Sequence, residues 1–363
     1  MISYRKLAMR VLGHSPVSAV KTARRSTGKR AAALALTAAL VVGMTLPAFA
    51  DTWYIEDGDI SISAGTSGNH VEQGEKKQDE TTETIITNRE STASSNTVTI
   101  EAGEGKTVDV TLKNVNIDAS SGAAVSVTGK GDTNIELNGN NTLTSGSGHA
   151  GLEHNKETNS EGKETSGTLT IMDNNNDGKL TANGGIDGAG IGGSDEHDGQ
   201  VTITGGEITA TGGNGAAGIG GGAYGNGTVT VTDGDITAKA TGRYGAGIGG
   251  GYGAKPSGTL IGGNGTVTIS GGTITEASGG YMAAGIGSRL HGLGTVTIEG
   301  DAVIKNAQGG EAGAGIGSGT RGNSEIIIRG DAVIENAESC ANGAGIGSGS
   351  VADGATEVKS DIT

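Results

Sequence analysis

The chain has 363 residues, with 25 Lys and Arg against 40 Asp and Glu, a formal net charge of −15, and 71 Gly. Only 2% of the residues are aromatic. An acidic surface of this kind repels nucleic acid and anionic lipid, and a chain so poor in large apolar side chains excludes an ordinary globular core.

Residues 1–50 carry eight Lys or Arg and no acidic residue, then the apolar run AAALALTAALVVGMTLPAFA. A basic start, an apolar stretch and an A-x-A site read as a secretory signal peptide ending at Ala50. The pair Arg24–Arg25 is not followed by the Phe-Leu of twin-arginine export, so general secretion is expected. Removal leaves 313 residues, Asp51–Thr363, with 17 basic against 40 acidic side chains, a charge of −23. Such a surface offers oxygen ligands to hard cations. The mature part has no apolar run long enough to insert in a membrane and no sortase-type anchoring signal. With one cysteine, Cys340, it can form no internal disulfide.

Residues 51–95 read as an N-terminal cap with a polar, charged loop. From residue 96 onward the chain repeats itself. The motif GAGIGG or a close variant places its Ile at Ile191, Ile219, Ile248, Ile286, Ile316 and Ile346, at spacings of 28, 29, 38, 30 and 30. The long spacing holds the insertion GAKPSGTLIGGN. Ala150–Glu153 and Ala123–Val127 stand where earlier copies belong, giving about eight coils of roughly 29 residues. After each motif come a variable loop, an alternating triplet such as Val201–Ile203 or Val229–Val231, a GG or DG pair, and a second short apolar segment such as EITA. Alternation of Val, Ile and Thr over three to five residues predicts strands, and no helical period is sustained. The expected fold is all-β: a right-handed parallel β-helix over residues 96–363. Its coils stack at about 4.8 Å, so that equivalent Ile and Val form inward ladders. The Gly residues serve tight corners. A phosphate-cradling loop is excluded, because no helix and no Lys-Ser/Thr follow the motif.

The segments NTVTIEAGEGKTVDVTLKNVNIDASSGAAVSVTGKGDTNIELNGNNTL and GTLTIMDNNNDGKLTANGGIDGAGIGG resemble the secreted carbohydrate-binding β-helix domains of Gram-positive anaerobes, whose relatives are pectate-lyase-like. The resemblance implies binding of a polysaccharide, a host or cell-wall glycan, at the cell surface or in secretion, with calcium as the candidate cofactor.

Two sets of residues carry candidate chemistry. Tyr224 and Tyr252 follow Ile219 and Ile248 by five and four residues, and Tyr244 and Tyr281 precede Ile248 and Ile286 by four and five. This predicts two short aromatic pairs flanking one strand column, suited to stacking on sugar rings. The same rings also suit capping of Gly-rich corners. Along that edge an acidic loop, Asp195, Glu196, His197 and Asp198, precedes loops holding Lys255, Arg289 with His291, and Arg321. The acidic loop and Arg289 fall about 14 Å apart, three coils, so a solvated charged edge competes with a lyase-type constellation. Asp173, Asn175 and Asp177 match the first half of a calcium loop. Position twelve is Gly184 rather than Glu, so an Asn/Asp/Gly turn reads as well.

Thr202, Thr230, Thr268 and Thr297 are expected to face outward in one column interrupted by Ile327. Cys340 is expected to be a packed thiol, and no Ser-His-Asp or Cys-His arrangement is evident. The leading function is a secreted or cell-surface, non-catalytic carbohydrate-binding or adhesin-like protein. The alternative is a calcium-dependent polysaccharide lyase or glycoside hydrolase on the same scaffold. The copy at Gly343–Ser348 lacks a clear following triplet, so Thr363 reads either as a natural end or as the end of a fragment.

Overall fold

The structure, a computed structural model, describes residues 51–79, 84–252, 263–350 and the strand Ser360–Ile362. The signal-peptide reading of residues 1–50, and Lys255, lie outside the described residues. Of the described residues, none forms a helix long and apolar enough to cross a membrane.

One coil shows how the sequence makes the fold. Ile191–Gly192 is a two-residue strand pairing in parallel with Leu152–Glu153 before it and Ile219–Gly220 after it. After a corner loop the chain runs through Gly199–Gly212, a single long strand. Its pairing with Gly227–Ala240 shifts register between Ile203 and Glu207, so the strand bends into two faces. Val201 and Ile203 on the first face, and Ile208 and Ala210 on the second, are buried. A second corner leads to Ile219 and the next coil. The chain is therefore a parallel β-helix with three strand faces per coil, as the period predicts.

The ladders repeat like residues in register. Ile191, Ile219, Ile248, Ile286, Ile316 and Ile346 stack on one face. Val201, Val229, Val267, Val296 and Ile326 stack on the second. Apart from Ile346 at the last rung, these residues are at most 1% exposed and belong to one continuous core. Each aliphatic side chain finds neighbours above and below, so a coil needs few of them; burying each contributes roughly 1.5–3 kcal/mol. The Thr column faces outward as expected, and Ile327, 40% exposed, interrupts it.

The glycine after each Ile has a specific reason. Gly192 and Gly220 sit at φ +128 and +131, a region closed to L side chains. A Cβ on either would also overlap the carbonyl oxygen of the equivalent glycine one coil on. Corners are further tied by side chains. Asp198 accepts the backbone N–H of Asn226 at 2.7 Å, Asn226 that of Asn264 at 3.0 Å, and Asn264 that of Leu293 at 2.8 Å.

The stacking begins earlier than the repeated motif. Among the described residues, the sheet containing the Ile-Gly rungs has twelve strands, and all but the hairpin Asn69–Gln73 and Lys76–Asp79 run parallel. Val98–Ala102 is one of its rungs and Ile60–Ala64 is another, two beyond the eight copies seen in the sequence. The stretch read as a cap thus contains a coil of its own, and the antiparallel hairpin covers that coil's edge. Trp53 is buried beneath it, with the Lys76 ammonium 3.7 Å from a ring centroid. At the other end, Ser360–Ile362 pairs in parallel with Ser324–Ile326.

Candidate functional site

The corner loops on either side of the Ile219, Ile248 and Ile286 rungs bring the tyrosines together, in a different pairing from the one expected. Tyr224 and Tyr252 do pair, edge to face, with ring centroids 5.3 Å apart. Tyr244 joins them: its centroid is 4.6 Å from that of Tyr252. The loops entering and leaving the Ile248 rung converge there, which sequence spacing alone does not reveal. Tyr281 is not part of this trio. It stands 38% exposed, with the Arg243 guanidinium 5.4 Å from its centroid.

Arg289 packs against two of the three rings, Tyr244 and Tyr252, and this corrects the expectation of a loop charge. It is 1% exposed. Its guanidinium carbon lies 4.0 Å from the Tyr252 centroid and 5.3 Å from that of Tyr244. One Nη donates to the Leu290 carbonyl at 3.4 Å, and Nε has no partner among the described residues. Burial pushes its pKa down to about 10, partly offset by the surrounding tyrosines. The guanidinium remains charged at neutral pH, and cation–π attraction in this desolvated setting is worth about 2 kcal/mol. Arg289 occupies a position that is Ser194, Gly222, Gly251 and Gly319 on other coils. A large residue in a small-residue column is the sequence signal for it.

One flank of the trio is acidic. Burial raises the Asp195 carboxyl above its ordinary pKa, reinforced by Asp187 and Glu196, and its Oδ1 has no partner among the described residues. Burial also raises the Tyr224 hydroxyl, with smaller contributions from Tyr252 and the same three carboxylates. The opposite flank is basic, with Arg243 beside Tyr281, then His291 and Arg321. Desolvation lowers the His291 pKa, and Arg321 and Arg289 lower it further. The edge therefore runs from acidic through aromatic to basic, the order the sequence predicts.

The candidate metal ligands fall in two separate loops. Asp173 accepts the backbone N–H groups of Asp177 at 3.2 Å and Gly178 at 3.0 Å. Asn174 donates to Glu136 at 2.7 Å, and Asn176 sits at φ +58. This is the bonding of a turn; Asn175, like Asp177, is exposed on it. In the second loop, both carboxylate oxygens of Asp198 accept from Asn226, Glu196 is exposed, and Asp195 keeps a buried oxygen with no partner among the described residues. Among the described residues, no three His, Cys, Asp or Glu side chains gather as a metal site.

Two further expectations change. Cys340 is exposed rather than packed, because its corner belongs to the last described coil. A Ser–His contact does exist: Ser194 Oγ lies 3.0 Å from His197 Nδ1. That nitrogen also faces the Asp195 carbonyl at 2.8 Å, and Ser194 Oγ bonds Asn155 at 3.1 Å. With Ser194 buried and its hydroxyl engaged, the contact ties a corner together.

With the geometry in view, the match to a family model agrees with the architecture. A family described as beta helix repeat matches residues 176–195, 201–223, 224–252 and 267–288, spanning the aromatic corner. A solved structure of the polysaccharide lyase-like protein from C. thermocellum, a gadolinium derivative, aligns over 84% of this chain and 99% of its own. The identity is 16% and the TM-score 0.30. No curated protein matches the chain.

Proposed function

We propose that this chain is a secreted or cell-surface protein that binds a polysaccharide, without cleaving it, along its acidic–aromatic–basic edge. The observation that carries the reading is the tyrosine trio set around a buried guanidinium. In a chain with so few aromatics, three rings are concentrated on one corner, two of them packed against that charge. Aromatic faces stack on the apolar faces of sugar rings, and the hydroxyl tips supply hydrogen bonds. Tyr281, more exposed and beside Arg243, extends the platform by one coil.

A glycan array, probed with the full chain with and without Ca²⁺ and assayed for cleavage products, tests this. The reading expects a polysaccharide ligand and no new reducing or unsaturated ends. Tyr224→Ala combined with Tyr252→Ala should weaken binding at least about tenfold, or roughly 1.4 kcal/mol. Binding to no glycan sinks the reading. A calcium requirement would draw in the loop of Asp195, Glu196 and Asp198.

One observation favours the catalytic alternative. Asp195 keeps an unpartnered carboxylate oxygen beside the exposed Glu196, and two neighbouring carboxyl groups in different surroundings are what glycoside hydrolysis uses. Release of new chain ends by the wild type, lost in Asp195→Asn, would establish it.

A further inference from the structure

Four residues outside the Asn and Asp class, all non-glycine, adopt left-handed backbone among the described residues. They are Glu196 at φ +63, Tyr224 at +67, His291 at +60 and Arg321 at +56. Each stands five residues after the Ile of its rung: Ile191, Ile219, Ile286 and Ile316. The equivalent position after Ile248 is Gly253, outside the described residues. These four are thus one column, on four of five successive coils, at the apex of the same corner.

The backbone at this apex is fully used. The N–H of Glu196 donates to Ala223 at 2.7 Å, that of His291 to Thr320 at 2.9 Å and that of Arg321 to Ser350 at 3.0 Å. The Tyr224 N–H donates to Tyr252. Each is a contact to the next coil, so the conformation is imposed by stacking. Glycine adopts it without strain, and this chain supplies glycine freely at its other corners. The side chains of Glu196, His291 and Arg321 return nothing visible to the fold. All three are exposed, and none makes a salt bridge or side-chain hydrogen bond to another described residue. Backbone strain retained where it brings no packing marks a site selected for contact with something else.

We infer that this column is the reading edge of the protein. Glu196, Tyr224, His291 and Arg321 contact one linear polysaccharide chain laid along the solenoid axis, in a single orientation. The inference rests on the carbohydrate reading and deepens it. It adds three residues that are not aromatic and extends the contact over four coil steps, about 19 Å at the stacking distance of parallel strands. The ends of the column differ in kind. A carboxylate at Glu196 accepts hydrogen bonds from sugar hydroxyls, while Arg321 and His291 donate to hydroxyl or ring oxygens. A polymer with a direction, set against a column with opposite chemistry at its ends, binds one way round.

Glycine substitution separates this role from a structural one. Glu196→Gly, His291→Gly and Arg321→Gly, singly and together in the full chain, remove the side chain and relieve the backbone. Each should raise the melting temperature by roughly 1–3 °C. Alanine at the same positions should give no such rise. Retention is read by affinity electrophoresis in gels containing polygalacturonate, alginate, xylan or hydroxyethylcellulose. The triple Gly variant should lose at least tenfold in affinity for whichever polymer retains the wild type. Retention of the wild type with equal retention of the triple variant overturns the column and leaves the tyrosine platform standing. Melting temperatures that fall in the Gly variants overturn it too, because the side chains would then support the fold. Retention of the wild type by none of the four polymers overturns the carbohydrate reading, and the column's role with it.

Discussion

The rung and the corner of the same coil follow opposite rules. At the rung, Ile and Gly recur unchanged from Ile191 to Gly347 because neighbouring coils leave no alternative. Five residues on, the same stacking imposes a left-handed backbone that suits glycine best, yet the chain places Glu, Tyr, His and Arg there. Where the structure dictates the residue, the sequence is monotonous. Where it would accept the plainest residue and receives varied ones, something other than folding has chosen them.

The strongest challenge to this contrast is a charge in the rung. Ile248 is fully buried in a column of Ile. Ile248→Asp would place an unpaired carboxylate there, with a penalty on the order of 4–5 kcal/mol. The variant should lose its cooperative melt and its β circular dichroism. A cooperative melt near the wild-type temperature would mean that the ladder register is wrong.

A smaller effect comes from the glycine of the preceding rung, which follows Ile219. Gly220→Ala puts a methyl group against the carbonyl oxygen of Gly249 at φ +131, and should cost about 2–4 kcal/mol in chemical denaturation. Gly103→Ala is the matched control. Its Cβ would meet only Lys106 at 3.8 Å, with no positive φ, and stability should change by less than about 0.5 kcal/mol. Equal effects at both positions would remove close coil approach as the reason for the rung glycine.

Much of the rung was legible in advance, because hydrophobic period and spacing are properties of the chain itself. The corner was only partly so. The order of acidic, aromatic and basic loops could be read, since each loop follows a recognisable Ile. The pairing of Tyr244 with Tyr252 could not, because it depends on two loops converging across a rung. Burial of Arg289 is likewise a tertiary fact, signalled only by a large residue in a column of Ser and Gly. The Ile60 and Val98 rungs escaped detection because they lack the flanking glycines that marked the others. The left-handed column is invisible in one dimension: position five after the Ile shows varied residues, and only the backbone angle shows that variety to be costly.

The smallest effect expected concerns pH and a polar residue on the structural side of the comparison. His154 stacks in the rung sheet at 2% exposure, with Nδ1 2.7 Å from the Gln200 carbonyl. Burial lowers its pKa below the ordinary 6.5, against weaker opposing contributions from Gln200, Glu164 and Gly167. The unfolded chain therefore binds the proton more readily than the folded one. The stability from a neutral His154 is present above pH 6.5 and is lost as the pH falls from 6.5 through the lowered folded value. Melting temperature should decline over that window in the wild type and decline less in His154→Leu. Parallel declines would assign the acid sensitivity to other groups.

The most direct test of the corner's role is a crystal structure of the full chain with an oligosaccharide of the polymer that retains it. The account predicts a sugar ring stacked on the Tyr224 corner and the chain running along the axis past Glu196 towards His291 and Arg321. A sugar chain bound instead on the outward Thr face, or in the acidic groove between Asp173, Glu207 and Asp235, would contradict it.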